Sequence, residues 1–134
     1  MSDLRSMKER IPQRSILLML ARAAFFAALT FTFYSAVIPP SQAIHLTPWD
    51  KATHFLAFYG LTGLAVAAFP KRNVLLIGVA LSLFGALIEF VQGLPMVNRD
   101  RDFWDWVADT AAITSALAPM LLCWWRQQFA ADQK

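Results

Sequence analysis

The sequence holds one cysteine and five glycines, and charged side chains make up only 16% of it. With the single thiol of Cys123 no intramolecular disulfide is possible, and its apolar neighbours suit burial in lipid or protein. The glycines at 60, 63, 78 and 85 do not follow a phosphate-loop spacing. No serine stands in a nucleophile-elbow pattern, which removes that route to covalent chemistry. There is no long-period repeat and no low-complexity linker, so nothing divides the 134 residues into separate domains. The scarcity of charge argues against a soluble protein. Hydrophobic residues make up 57% of the chain, and the mean hydropathy is +0.46. The isoelectric point near 9.4 invites nucleic acid, but the positive charges are dispersed and no basic, aromatic-laced surface is written in the sequence.

What is present is a set of apolar runs of membrane-spanning length. A hydrocarbon core of roughly 30 Å needs about 20 mostly apolar helical residues. Four stretches qualify: Ser15 to Ile38, Ala52 to Phe69, Val74 to Leu94, and Trp104 to Trp125. Pro39 and Pro70 end the first two, since proline discourages further helix. The expected architecture is all-α, an integral membrane bundle of four transmembrane helices over residues 15–125. It is flanked by a basic N-terminus, 1–14, and a polar tail, 126–134. Gly60 and Gly63 are expected to let the second helix pack closely, as small residues do between membrane helices.

Lysine and arginine favour the cytoplasmic side of short loops. Arg5, Lys8, Arg10 and Arg14 precede the first span, Lys71 and Arg72 follow the second, and Arg126 and Lys134 follow the fourth. The other two loops carry Lys51, Arg99 and Arg101. This bias predicts both termini in the cytoplasm, with loops 39–51 and 95–103 on the outer face. Trp49, Trp104 and Trp106 then mark the outer interface, and Trp124 and Trp125 the inner one. Arg22 either snorkels to the inner headgroups or makes a polar contact within the bundle. The basic start, the apolar run 23–38 and S41-Q42-A43 also resemble the parts of a signal peptide, and cleavage there would leave the later topology unchanged.

With that topology, three polar sets meet at one level. They are Asp50, Lys51 and His54 on the second helix, Glu89 and Gln92 on the third, and Arg99, Arg101, Asp102, Asp105 and Asp109 around the start of the fourth. Residues three or four apart share a helix face. The pairs Asp50/His54, Glu89/Gln92, Arg101/Asp105 and Asp105/Asp109 therefore form polar stripes, which should turn inward from lipid. Glu89, flanked by apolar residues and too short to snorkel, should either have a partner, with Lys51, His54, Arg99 and Arg101 as candidates, or have a raised pKa. Asp105 reads equally well as a charge favourable to the helix dipole. The D-x-x-x-H spacing of Asp50 and His54 suits a metal in principle, but only His45 offers a second imidazole, so no metal or other cofactor is expected.

The motifs D50-K51-x-x-H54-F55, E89-x-x-Q92 and R101-x-x-x-D105-x-x-x-D109, in this order and setting, resemble the VanZ-like family of small bacterial membrane proteins over about residues 48–118. Asp109 stands where the family often has Asn, and Ala111 and Ala112 replace its usual glycines. The resemblance implies a multi-pass protein of the bacterial inner membrane, linked through the founding member to teicoplanin resistance.

Three functions follow as expectations. The leading one is an outward-facing polar pocket that binds an anionic lipid or lipid-linked cell-wall precursor. Lys51, Arg99 and Arg101 would meet phosphate or carboxylate, and Asp50, His54, Glu89, Gln92, Asp105 and Asp109 would line the site. The second is a membrane enzyme in which His54 and Glu89 move protons. The third is a structural role, with the same residues locking helices together or holding a partner protein. Nucleic acid is not an expected partner, and the sequence leaves the oligomeric state open.

Overall fold

The computed structural model describes residues 2–42, 48–97 and 99–131. Among them are four α-helices: α1 (Ser2–Val37), α2 (Asp50–Ala68), α3 (Val74–Gln92) and α4 (Phe103–Ala131), with a 3-10 turn, Pro40–Gln42, after α1. The apolar runs are helical except at Ile38, Phe69, Gly93 and Leu94, which lie just past the ends of α1, α2 and α3. The outer two helices extend beyond their runs, α1 through the basic N-terminus and α4 past Arg126, where Arg, Gln, Lys and Ala favour helix. Residues 132–134 of the expected tail, His45 and Ala43 lie outside the described residues.

Local chemistry sets the helix ends. Asn73 caps α3, its side-chain oxygen accepting the Leu75 N–H at 2.8 Å. At the start of α4 the Asp102 side chain accepts the Trp104 N–H at 2.9 Å. Trp49 occupies the cap position of α2 without a side-chain cap bond to the helix, and Asp50 lies in the first turn, where its charge favours the helix dipole.

Three helices are long and apolar enough to cross a membrane: Gln13–Val37 of α1, Val74–Gln92 of α3 and Phe103–Gln127 of α4. The segment α2 is not among them, because Asp50, Lys51 and His54 crowd its first turns. It packs against all three other helices, most extensively against α4 and α1. Its Phe58, Leu61, Ala65 and Ala68 are buried with Ile77, Leu81 and Ile88 of α3, and with Ala112, Ile113 and Leu117 of α4.

Outside that core the usual polarity is reversed. Leu17, Leu20, Phe31, Leu76, Leu83, Phe90 and Leu122 are exposed, whereas Thr62, Glu89, Gln92, Asp105 and Asp109 are buried. An apolar exterior with the charged side chains turned inward is the arrangement a bilayer stabilises. The chain is thus a helical membrane protein.

The close approach between helices falls on different glycines from those expected. A Cβ on Gly60 or Gly63 would meet nothing within 4 Å, whereas one on Gly85 would sit 2.8 Å from Asp109 Oδ2, and one on Gly78 would sit 3.0 Å from Leu117 Cδ1. Gly60 and Gly63 face outward, and the tight seam runs between α3 and α4. The seven-residue spacing of Gly78 and Gly85 puts both on one face of α3.

Arg22 takes the contact within the bundle. Its Nε donates to the Ala68 carbonyl at 3.3 Å and its guanidinium lies 5.7 Å from the Phe69 ring centre. It thereby satisfies a carbonyl at the C-terminal end of α2, where helices leave acceptors unpaired.

Candidate functional site

The start of α2 faces the start of α4 across a polar cluster. Lys51 Nζ lies 2.6 Å from Asp102 Oδ2 and 3.2 Å from Asp105 Oδ1. One turn deeper, His54 Nδ1 lies 3.1 Å from Asp109 Oδ1, and His54 Nε2 lies 3.8 Å from Asp105 Oδ2. Asp105 therefore reaches toward both basic side chains of α2, one through each oxygen. The four-residue spacings, 50/54 on α2 and 105/109 on α4, are what stack the two rows face to face.

Burial deepens along the row. The Lys51 and Asp102 side chains keep 34% and 40% exposure, while Asp105 keeps 8% and Asp109 none. Bonds to Asp102 and then to Asp105 raise the Lys51 pKa above its ordinary 10.5. The Lys51 bond, followed by the Trp104 N–H, lowers that of Asp102 below 3.8. Both shifts favour the charged forms that make the bridge.

Glu89 joins the cluster from α3, but none of its four expected partners hydrogen-bonds it. Its Oε2 accepts the backbone N–H of Asp102 at 3.1 Å. The start of α4 supplies this donor because the first N–H groups of a helix have no partner within it. Glu89 Oε1 and Asp109 Oδ2 are buried with no hydrogen-bond partner among the described residues.

Two other expected site residues turn toward α1. Arg99 donates to the carbonyls of Ile38 at 2.9 Å and Ser35 at 3.3 Å, and Gln92 Nε2 donates to that of Ala36 at 3.1 Å. Together they satisfy the C-terminal end of α1, so the first helix is tied into the polar layer. Arg101 is exposed and makes no hydrogen bond or ion pair among the described residues, its Cδ lying over Gly93. Asp50 is exposed beside His54, and one donor atom from each of Asp50, His54 and Asp105 lies within 4.8 Å of the others.

Beside the cluster runs an apolar groove of about 490 Å³ between α2 and α4. Trp49, Phe55, Leu56, Trp104, Val107 and Ala108 line it, and Lys51 stands at its polar end. Asp102, whose side chain joins the Lys51 bridge, belongs to no motif with a spacing signal. Its only sequence cue is its place as a short acidic residue just before an apolar run, the mark of a helix start.

The chain matches no protein-family model, no curated protein and no solved structure.

Proposed function

We propose that this chain is a four-span inner-membrane protein of bacteria, with both termini cytoplasmic, that binds an anionic lipid or lipid-linked envelope component at the outer face. The observation that carries this reading is the groove between α2 and α4, apolar along its length with a lysine at one end. A lipid has the same division, an acyl chain beside a charged head. The tryptophans at 49 and 104 suit the headgroup level. Since Arg99 is engaged by α1, the cations left for an anionic head are Lys51 and Arg101.

The resemblance to VanZ-like proteins supports a role in the cell envelope and in the response to glycopeptides such as teicoplanin. Native mass spectrometry of the protein extracted in mild detergent tests the binding. A co-purifying anionic lipid is expected, and its occupancy should fall severalfold in Ala108→Phe, which fills the groove, and in Lys51→Ala/Arg101→Ala. Lipid content unchanged by both variants would sink the reading.

One observation favours a second reading, a lipid-directed enzyme. Asp109 grips His54 Nδ1, which leaves Nε2 as the ring atom free to accept a proton, an arrangement used for general bases. Turnover of a labelled lipid that disappears in His54→Ala, with the fold retained, is its expected signature. Binding without turnover leaves the first reading standing alone.

A further inference from the structure

We propose that Asp50, His54 and Asp105 form a site for one divalent first-row metal ion, zinc or manganese, at the α2–α4 seam. The proposal does not rest on the lipid reading.

The geometry begins with the imidazole. Asp109 Oδ1, fully buried and 3.1 Å from His54 Nδ1, accepts that nitrogen's proton and leaves the lone pair of neutral His54 on Nε2. A carboxylate behind a histidine is the usual support for a metal-bound ring, because it fixes the tautomer and raises ligand basicity. Lys51 plays the corresponding part for Asp105. It holds Oδ1 at 3.2 Å, and Oδ2 stands 3.8 Å from His54 Nε2.

Two acceptors therefore face each other at a distance too long for a hydrogen bond. Donors each about 2.0–2.2 Å from a shared ion stand roughly 3–4 Å apart, the separation observed here. Asp50 supplies the third ligand, with one donor atom from each residue within 4.8 Å of the others. It is exposed and starts a helix, so its side chain has room to close on an ion. The set is one imidazole and two carboxylates, chemistry that suits zinc or manganese and leaves positions open for water or a phosphate oxygen.

The surroundings of the set are acidic. Glu89, only 4% exposed, and fully buried Asp109 each keep one oxygen without a partner among the described residues. Three buried carboxylates, Glu89, Asp105 and Asp109, thus surround a cluster whose basic side chains are Lys51 and His54. A divalent ion held by Asp50, His54 and Asp105 would add positive charge beside these carboxylates.

Titration of untagged, chelator-treated full-length protein in detergent with Zn²⁺ and Mn²⁺ by calorimetry tests the site. One ion per chain is expected, bound at least tenfold more weakly by Asp50→Asn and by His54→Gln. Asp50→Asn, changed at an exposed residue, should keep the melting temperature of the metal-free parent. Co²⁺ loading should give a visible absorption band with nitrogen ligation that His54→Gln abolishes. Absence of saturable binding, or equal affinity in the parent and Asp50→Asn, overturns the proposal. Because no lipid is varied, the groove variant Ala108→Phe should bind the ion normally, so failure of one reading is separable from failure of the other.

Discussion

Asp109 is fully buried and is the sole hydrogen-bond partner of His54 among the described residues. Removing one member of a buried pair strands the other, at a cost of roughly 3–5 kcal/mol. Asp109→Ala should therefore lower unfolding stability in micelles by about 3 kcal/mol. Asp109→Asn keeps an acceptor for the ring and should lose about 1 kcal/mol or less. Denaturant titration followed by circular dichroism measures both. If the alanine variant were as stable as the asparagine one, the His54 contact would not matter to the fold. The Lys51–Asp102 bridge makes a different prediction because both ends touch water. Asp102, lowered below 3.8, contributes stability above that pH and loses it as the pH falls through its folded value. Lys51, raised above 10.5, contributes below that pH and loses it as the pH rises through its folded value. The melting-temperature gap between the parent and Asp102→Asn should accordingly stay constant over about pH 5–9 and close in stronger acid, where Asp102 is protonated. A gap that persisted in acid would assign Asp102 a role other than its charge.

At the scale of the helix, the α3–α4 seam is set by absent side chains. Gly85→Ala puts a methyl group 2.8 Å from a carboxylate oxygen of Asp109, and either the α3–α4 spacing or the His54–Asp109 bond must give. A loss of about 1–3 kcal/mol is expected, as for other overpacked sites. Gly60→Ala, on open surface, should leave stability unchanged or raise it by up to about 1 kcal/mol through helix propensity. Equal effects of the two substitutions in thermal melts would remove the α3–α4 seam as the tight contact. The same scale shows why some motif residues were legible and others were not. Asp105 and Asp109 share a face by their spacing alone, and so do Asp50 and His54. Nothing local to Gln92 or Arg99 shows that both reach the end of α1, since that end is 56 and 61–64 residues away in sequence. The glycines were likewise ambiguous, because a missing side chain does not say which neighbour approaches.

Across the whole molecule, the polar layer ties the bundle together. Arg99 and Gln92 hold α1, Lys51 and His54 hold α4 to α2, and Glu89 holds the connector before α4. With α2 as a fourth span, Ser41 and Met96, both exposed and the latter at 92%, lie on the outer face and Lys71 on the inner. In a Cys123→Ala background, Ser41→Cys and Met96→Cys should react with a membrane-impermeant maleimide in intact cells, and Lys71→Cys only after permeabilisation. Labelling of Ser41→Cys and Lys71→Cys from the same side would mean that α2 does not cross.

The sequence by itself determined that the chain is helical, that it holds apolar runs of bilayer-crossing length, and that its carboxylates gather on helix faces; the helices long and apolar enough to cross number three of the expected four among the described residues. Helical period and hydropathy are local properties, readable within a turn or a run. Only the tertiary structure decided which charges meet. It brought Asp105 of α4 beside Asp50 and His54 of α2. It gave Glu89 a backbone donor in place of a cation, and it withdrew Arg99 from the pocket to cap α1. The W-D-K-x-x-H stretch, residues 49–54, specifies a polar face, but what that face binds depends on the way the start of α4 is held against it. That placement follows from apolar packing of Phe58, Leu61, Ile113 and Leu117, residues that carry no chemistry of their own.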